Sequence, residues 1–412
     1  MKALITILAF AALISSAGAS VHSVNNLGLA LGMEISKQAP GKNFMVSPVS
    51  LHQALSIAAN GTNHETRSRM EDLFGITVEE NNLLGMGLKK SLTQRSHNKL
   101  VHLNKGNVVA IENSLWRTNG KTDKRNYVFS PDFLEVSSQY FEAEAYSLDF
   151  RNTQSARTIN QWADKKTRGL VKEIIDADTL DPMLWVIMNA TYMEAAWAKP
   201  FHKIKENAPR FTLLNKSQVE VRMIGGRQSI SYSKMSDGSE VAAIPFSYSR
   251  GNPDLEFIVY LPHEKKDFSK ARNEFFTPAF FDRVTNAHKG RVDAVITLPE
   301  FSFDSSVEMK KDKELTKVMG LNFLFQNSAD LSLMATRDSL PSVVGIIKQN
   351  SRIELDEKGV KAAAVTIVGG IERTSLPVEP SVQMVIDRPF FFAIVEKNTK
   401  AILFTGSVVD PR

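Results

Sequence analysis

The sequence contains no cysteine among its 412 residues. Disulfides, a thiolate nucleophile, zinc–thiolate sites and iron–sulfur clusters are therefore excluded. After residue 14, no apolar run approaches the roughly 18 residues that a membrane-spanning helix needs. The formal net charge is only +5, from 50 Lys and Arg against 45 Asp and Glu, and this excess is too small to require a nucleic-acid partner. The composition is that of a soluble globular protein.

The common signatures of catalysis are missing as well. There is no Gly-x-Ser-x-Gly motif, and His64-Glu65 is not followed by the second histidine of a zinc-protease helix. Gly120-Lys121-Thr122 ends like a phosphate-binding loop, but Leu115 stands where that loop requires glycine. We therefore predict no catalytic, cofactor-binding or metal-binding residues, and a secreted hydrolase is kept only as an alternative.

The N-terminus has the three parts of a secretory signal peptide. Lys2 provides a basic start, residues 3–14 are apolar, and Ala17-Gly18-Ala19 is a small-x-small cleavage pattern. We predict a signal peptide over 1–19 and a secreted, extracellular chain over 20–412. The alternative is a membrane anchor, for which the apolar run is short. Without disulfides, the mature chain must be stabilised by a large hydrophobic core.

Three Asn-x-Ser/Thr triplets begin at Asn60, Asn189 and Asn215. In a secreted chain these are acceptors for N-linked sugar. Asn60 is predicted at an exposed helix end and Asn215 in a polar turn, so both are candidate glycosylation sites. Asn189 lies in an apolar run that predicts a buried strand, where sugar is not expected.

Hydrophobic periodicity divides the chain into a helical first half and a strand-rich second half. Helices are predicted over 22–37, 50–60, 64–74, 78–96, 131–141, 156–175, 268–285 and 308–319. Strands are predicted over 107–116, 183–192, 219–235, 240–246, 255–261, 292–299, 352–356, 382–387, 390–396 and 401–408. Without regular βαβ alternation this order indicates an α+β fold, and the absence of a linker indicates a single domain.

Residues 357–380 combine small side chains with a lack of proline. Proline is absent from Gly359 to Leu376, so the backbone N–H groups there are free to join a sheet. With the two-residue period of a strand, one face is uniformly small. That face carries Val360, Ala362, Ala364, Thr366, Val368 and Gly370. Such a strand can enter between two existing strands without large pockets; a plain surface loop and an Ala-rich helical turn are the alternatives.

Arg373 is the only basic residue between Ala362 and Asp387. An exposed Arg373–Thr374 bond is a natural substrate for a trypsin-like protease, whose specificity pocket holds a carboxylate. The alternative is an incidental surface arginine.

Several blocks along the whole mature chain resemble the serpin family of serine protease inhibitors, particularly secreted arthropod members. The matching blocks are Asn43–Ser50, Asn160–Trp162, Thr167–Gly169, Asn189–Tyr192, Trp197, Pro200–Phe201, Ala329–Ser332, Glu357–Gly359, Ala362–Ala364, Asp387–Phe390 and Leu403–Gly406. The resemblance implies one α+β domain, with helices packed on a large central mixed or antiparallel sheet, two smaller sheets and an exposed reactive-centre loop at about 358–380.

The resemblance also implies suicide inhibition. A protease forms an acyl-enzyme at the scissile bond, and the cut loop then inserts as a strand into the main sheet. In the family the scissile carbonyl lies fourteen residues past the hinge glycine, and from Gly359 that count reaches Arg373. The implied hinge residues are Glu357, Gly359, Val360, Ala362, Ala363 and Ala364. The implied shutter and breach residues, which lie where the sheet opens, are Ser47, Ser50, Asn189, Trp197 and Gln349.

Gln349 departs from the family pattern. Gln349-Asn350-Ser351 stands where many members have His-Lys-Ala, and that histidine usually bonds the residues that match Asn189 and Ser47. Glutamine has both a donor and an acceptor, so we expect Gln349 to substitute.

A second predicted surface is basic and lies at and beyond the fourth helix. Lys89, Lys90, Arg95, Lys99 and Lys105 are candidates for binding a heparin-like polyanion, and a glycosaminoglycan would be the one expected modulator. The alternative is an ordinary solvated helix face. The expected partners are trypsin-like serine proteases in covalent complex with a monomeric inhibitor. A non-inhibitory carrier or polyanion-binding protein of the same fold is the alternative function.

Overall fold

The computed structural model describes residues 21–92, 107–120, 127–248, 252–286, 290–309, 313–336, 344, 346–360 and 381–412. The predicted signal peptide and residues 361–380 of the predicted loop lie outside these ranges. None of the helices in the described ranges combines the length and apolar character that a membrane span needs.

Ten α-helices lie in the described ranges, seven of them before the fourth strand. They are α1 (21–38), α2 (Pro48–Asn60), α3 (His64–Phe74), α4 (Val78–Leu92), α5 (Pro131–Phe141), α6 (Thr153–Lys166), α7 (Ala177–Leu180), α8 (Phe268–Phe275), α9 (Pro278–Asn286) and α10 (Lys313–Val318), with a 3-10 helix at Asn322–Phe325. Local chemistry fixes several ends: Ser47 and Ser130 cap α2 and α5, each followed by proline at the first helical position.

Seventeen strands complete the described fold. They are β1 (Phe44–Val46), β2 (Val108–Thr118), β3 (Glu144–Leu148), β4 (Trp185–Ala196), β5 (His202–Ile204), β6 (Phe211–Thr212), β7 (Gln218–Val219), β8 (Met223–Lys234), β9 (Glu240–Pro245), β10 (Leu255–Leu261), β11 (Val292–Pro299), β12 (Phe301–Glu308), β13 (Lys348–Leu355), β14 (Gly359–Val360), β15 (Val382–Val385), β16 (Phe390–Glu396) and β17 (Ile402–Val408).

The central sheet has six strands in the order β12-β13-β14-β4-β2-β3, and β2 with β3 is its parallel hydrogen-bonded pair. Nine further strands, one of which is β8, are connected by hydrogen bonds, and β8 changes its pairing partners along its length. Residues 223–230 of β8 pair with β11, and residues 231–234 pair with β9. The nine strands therefore form two sheets joined through β8, and β6 with β7 forms a hairpin. The predicted α+β fold with a large mixed central sheet and two further sheets is confirmed.

Three helix predictions were wrong. The helix predicted over 268–285 is two helices, α8 and α9, with Phe276 and Thr277 between them. The helix predicted over 156–175 ends at Lys166, because Arg168 and Gly169 adopt positive φ values of 51° and 83° and turn the chain. In the region predicted as a helix over 308–319, the described residues form α10 at Lys313–Val318, whereas Glu308 belongs to β12, a strand that was not predicted. Burial does alternate along β12, but Ser305 occupies one inward position and weakens the apolar pattern.

The core is divided by the central sheet. One buried cluster fills the space between its inner face and strands β8–β10, β16 and β17. A smaller cluster lies on the outer face under α6 and includes Trp116, Trp162, Met188 and Ala190. The central sheet is therefore covered on both faces, and any strand added to it must fit between these two layers.

Candidate functional site

The two-residue strand β14 lies between β13 and β4 in the central sheet. Gly359 pairs with Ala196, and Val360 pairs with Ala195 on one side and Leu355 on the other. Val360 is 4% exposed. Gly359 has φ +151°, and a Cβ placed there would lie 2.0 Å from the Ala195 carbonyl oxygen, so only glycine fits. The start of the predicted hinge is thus already part of the sheet.

Beyond β14, no residue of β13 is paired directly with a residue of β4 in the described part of the chain. The sheet order runs from β13 to β14 to β4, and each of the two longer strands pairs with β14. β13 is held on its other side by β12 over eight residue pairs, and β4 by β2 over ten. The boundary between β13 and β4 beyond β14, here called the opening, is therefore where an extended chain could be added once the two strands separate.

The base of the hinge is fastened around Trp197. The indole Nε1 donates to the Asp356 carbonyl at 2.9 Å, and the Trp197 backbone N–H donates to the Lys358 carbonyl at 2.9 Å. The ring stacks on Phe246 with centroids 4.7 Å apart. Asp356 in turn accepts from the N–H groups of Lys358 and Gly359 at 2.8 and 3.1 Å. These contacts fix the direction in which the hinge enters the sheet.

An ion-pair group that the sequence did not predict lies beside this base. Lys203 Nζ is 3.5 Å from Glu300 Oε1 and 3.6 Å from Glu357 Oε2, and Arg222 Nε is 3.6 Å from Glu300 Oε2. Glu300 is only 11% exposed. Its charge, followed by that of Glu357, raises the pKa of Lys203 above the usual value. No motif marks these residues, because they come from separate elements.

The predicted shutter residues lie under the opening, where α2 meets β4 and β13. Gln349 Nε2 donates to the Ser47 carbonyl at 2.8 Å, and the Ser47 N–H donates to Gln349 Oε1 at 2.8 Å. Ser50 Oγ donates to Asn189 Oδ1, and Asn189 Nδ2 donates to Asn113 Oδ1 at 2.7 Å. All of these side chains are buried.

The expectation that Gln349 would bond both Ser47 and Asn189 was wrong for Asn189. The glutamine amide matches the N–H and C=O of one peptide unit, and both of its groups are used on Ser47. Asn189 is satisfied instead by Ser50, Asn113 and Thr191. Asn113 was missed; its one signal was an asparagine inside the apolar run of β2.

Comparison with known proteins gives one family over nearly the whole chain. The family model Serpin (serine protease inhibitor) matches residues 22–411. Serpin-Z7 of Hordeum vulgare is 27% identical over 404 residues, covering 95% of this chain and 96% of its own. Iripin-3 of Ixodes ricinus is 26% identical over 392 residues, 93% of each chain.

The chain belongs to the serpin family. The structure of Arabidopsis AtSerpin1 in its native stressed conformation aligns with a TM-score of 0.78 at 22% identity, covering 96% of this chain and 98% of that one. Serpins are in general protease inhibitors rather than enzymes, although some are non-inhibitory. The predicted reactive-bond residues Arg373 and Thr374 and the predicted hinge residues Ala362, Ala363 and Ala364 of this serpin lie outside the described residues.

The two candidate glycosylation sites of this serpin differ in their surroundings. Asn60 lies at the end of α2 as predicted, but its expected exposure was wrong. Its Nδ2 donates to the Ser56 carbonyl at 2.8 Å and to Asn82 Oδ1 at 2.7 Å, and Thr62 is fully buried. Asn215 is exposed between β6 and β7, and its Oδ1 accepts from the Ser217 hydroxyl at 2.7 Å. The geometry therefore favours Asn215 as the sugar acceptor.

Lys89 does not belong to the predicted basic surface of this serpin. Lys89 is 5% exposed, and its Nζ lies 2.8 Å from Glu142 Oε2 and donates to the Phe141 carbonyl at 3.2 Å. It fastens α4 to the end of α5 and does not face solvent. Lys90 is exposed. Arg95, Lys99 and Lys105 lie outside the described residues.

Proposed function

We propose that this serpin is a secreted suicide inhibitor of trypsin-like serine proteases, with Arg373–Thr374 as its reactive bond. The observation that carries the proposal is β14, in which Gly359 and Val360 pair with β4 and Val360 also pairs with Leu355 of β13. A chain that continues from Val360 in the same direction enters the opening. Strand addition of this kind supplies main-chain hydrogen bonds at every residue that is added.

The register of β14 predicts where each loop residue would lie after insertion. Continued along β4, it places Ala362 opposite Met193, Ala364 opposite Thr191 and Gly370 opposite Trp185. Directly opposed residues of two strands share a face. Met193 belongs to the buried inner cluster, so Ala362 would face the core. Lys361 would lie opposite Glu194, on the outer face. The small residues of the loop therefore fall where space is limited.

The length of β4 sets the distance over which the loop would travel. Residues 359–370 would face the twelve residues of β4. At about 3.3 Å per residue, insertion would carry the acyl-linked protease about 40 Å, to the opposite end of the sheet. About ten new ladder bonds at about 1 kcal/mol each would drive this movement by about 10 kcal/mol before packing.

The chemical step is ordinary acyl transfer. The protease serine oxygen attacks the Arg373 carbonyl carbon, the bond to the Thr374 nitrogen breaks, and the amine leaves with a proton from the protease histidine. The ester between the serine and Arg373 then stays intact only if insertion is faster than its hydrolysis. Inhibition is thus a competition between strand insertion and water.

The test is incubation with trypsin, followed by denaturing electrophoresis and N-terminal sequencing of the released fragment. We expect a stable complex and a new N-terminus at Thr374. The matched variant Arg373→Ala should lose the trypsin complex. Cleavage after Arg373 without a complex would make the protein a substrate or a non-inhibitory serpin, and a complex with a different new N-terminus would move the reactive bond.

Secretion and modification are part of the same proposal. Cleavage before Ser20 and sugar on Asn215 are expected in the secreted protein, and mass spectrometry of material from a eukaryotic secretory host tests both. Polyanion binding through Lys90, Arg95, Lys99 and Lys105 is a separate proposal, from which Lys89 is now removed. Salt-sensitive retention on heparin would support it, and elution near physiological salt would oppose it.

A further inference from the structure

The opening between β13 and β4 is crossed on its outer face by residues 167–176, here called the crossing segment. This segment follows α6 and leads to α7. Its residues Ile174 and Ile175 are buried in the cluster that contains Met188 and Ala190 of β4. On the other side, a cleft of about 570 Å³ separates the segment from β12 and β13. The crossing segment therefore spans the two strands that must separate.

The crossing segment and α6 are firmly attached to the β4 side of the opening. Lys166 Nζ lies 3.0 Å from Glu112 Oε2 on β2 and 3.0 Å from Glu144 Oε1 on β3. Glu144 also accepts a hydrogen bond from Trp162 Nε1 at 2.8 Å. Arg168 pairs with Glu194 on β4 at 3.1 Å. These partners all lie on β2, β3 and β4, which move together if the sheet opens.

The far end of the segment is tied back to α6 as well. Asn160 of α6 donates to the Ile175 carbonyl at 2.8 Å and accepts from the N–H groups of Ile174 and Ile175 at 2.9 and 3.1 Å. Three hydrogen bonds from one side chain make residues 174–175 follow α6. The crossing segment therefore belongs to the β4 side along its whole length.

The contact with the β13 side is much weaker. In the described part of the chain, the hydrogen bonds that reach the segment from β13 come from Asn350. Its Nδ2 donates to the Glu173 carbonyl at 3.4 Å and to the Ile174 carbonyl at 3.3 Å. Lys348 adds an electrostatic attraction to Asp176 without a hydrogen bond. Asn350 is thus the β13 side chain that hydrogen-bonds the crossing segment within the described residues.

We propose that Asn350 is a positioning residue that slows strand insertion by holding the crossing segment against β13. This inference rests on the proposed inhibitory function. A new strand separates its neighbours by about 4.8 Å, so two bonds already at 3.3 and 3.4 Å must break before the loop can enter. Bonds that are present before insertion and lost during it raise the barrier. Removing them should therefore speed insertion.

The experiment measures insertion without a protease. A synthetic peptide of residues 360–373 is mixed with the full-length protein, and its uptake is followed by native electrophoresis. We expect Asn350→Ala and the isosteric Asn350→Asp, which cannot donate to a carbonyl, to take up peptide about fivefold faster. The matched control is Arg352→Ala. Arg352 lies two residues away on the same face, but it bonds Asp304 and Glu354 inside the β12–β13 half.

The outcomes distinguish the proposed role of Asn350 from the inhibitory function on which it rests. Equal peptide uptake by the wild type and both Asn350 variants, with a normal trypsin complex, would overturn the proposed role of Asn350 and leave the proposed inhibitory function standing. Equal acceleration by Arg352→Ala would show a general loosening of β13 and would also overturn it. Absence of both peptide uptake and trypsin complex in the wild type would remove the proposed function itself. Urea unfolding of each variant shows that it is folded before uptake is compared.

Discussion

His52 is a histidine enclosed within α2, one turn from the shutter serines. It is 1% exposed, and its Nε2 lies 2.7 Å from Asn81 Oδ1. Asn81 Nδ2 donates to Ser56 Oγ at 2.7 Å, and Ser56 Oγ donates to the His52 carbonyl at 2.6 Å. Burial lowers the pKa of His52 to about 4, against a smaller opposing effect of the Asn81 bond. The ring is therefore neutral in the folded protein at pH 7.

The neutral state of His52 predicts a pH-dependent stability. In the unfolded chain the histidine binds a proton near pH 6.5, whereas the folded pKa is about 4. The unfolded state thus binds more protons between these values, and the free energy of unfolding falls as the pH is lowered. From pH 7.5 to 5.5 this group should remove about 1.4 kcal/mol. Urea denaturation at the two pH values measures the change.

The control for this prediction is His52→Gln, which can bond Asn81 but cannot take up a proton. The free energy of unfolding of this variant should fall less than that of the wild type over the same pH range, because the contribution of His52 is absent. Identical slopes for the wild type and His52→Gln would contradict the assignment.

Gln349 gives the same region a contact that does not titrate. Both of its hydrogen bonds go to the Ser47 main chain, just before α2. A glutamine amide stays neutral, so protonation cannot loosen this attachment as it would at the histidine common in the family. Within α2 and its N-cap, acid sensitivity therefore lies with His52 and not with the contact between the helix and β13.

At the scale of elements, the hinge offers a direct test of the insertion register. Ala362→Arg should place a charged side chain against Met193 and the inner core, where burial of an unpaired charge costs several kcal/mol. We expect insertion to lose the competition with hydrolysis. The moles of serpin consumed per mole of trypsin inhibited should rise by at least about tenfold, because each 1.4 kcal/mol of added barrier slows insertion tenfold. Titration of trypsin activity measures this ratio.

The matched variant for Ala362→Arg is Lys361→Arg. It lies next to Ala362, it should face Glu194 on the outer surface, and it keeps its charge. The ratio should stay at the wild-type value. If both variants remain efficient inhibitors, the register is wrong; if both become substrates, the hinge tolerates no change and the inward–outward distinction fails.

The elements that could be predicted from the sequence are those with strong local signals. β10, β11 and β16 have the predicted bounds, because each is rich in apolar residues and ends at a polar or proline-containing turn. β12 was missed because an inward serine interrupts its pattern. The hinge is a local motif, whereas the Asn350 contacts join residues 176 and 177 positions apart. Such pairs depend on how the crossing segment lies on the sheet, and periodicity carries no information about that.

At the scale of the whole molecule, residues 381–412, which follow the proposed reactive bond, contribute β15, β16 and β17 to the sheets. β16 is buried throughout and pairs with β10 and β17, and β17 pairs with β1 in the N-terminal part of the chain. Cleavage at Arg373–Thr374 would therefore free the reactive ends without releasing the C-terminal fragment. The cut chain keeps the same fold except for the loop, which becomes able to enter the central sheet.

Cleavage should consequently make the molecule more stable. The cut loop would add a strand between β13 and β4, with about ten hydrogen bonds at about 1 kcal/mol each. For a chain of this size we expect the unfolding temperature to rise by at least about 10 °C after limited cleavage with a small amount of trypsin. Differential scanning calorimetry measures the shift, and gel filtration should show both fragments eluting together. Cleaved Ala362→Arg, whose hinge cannot enter the core, should gain much less. Co-elution without a temperature rise would mean that the loop stays outside the sheet, and the trapping step would then have no driving force.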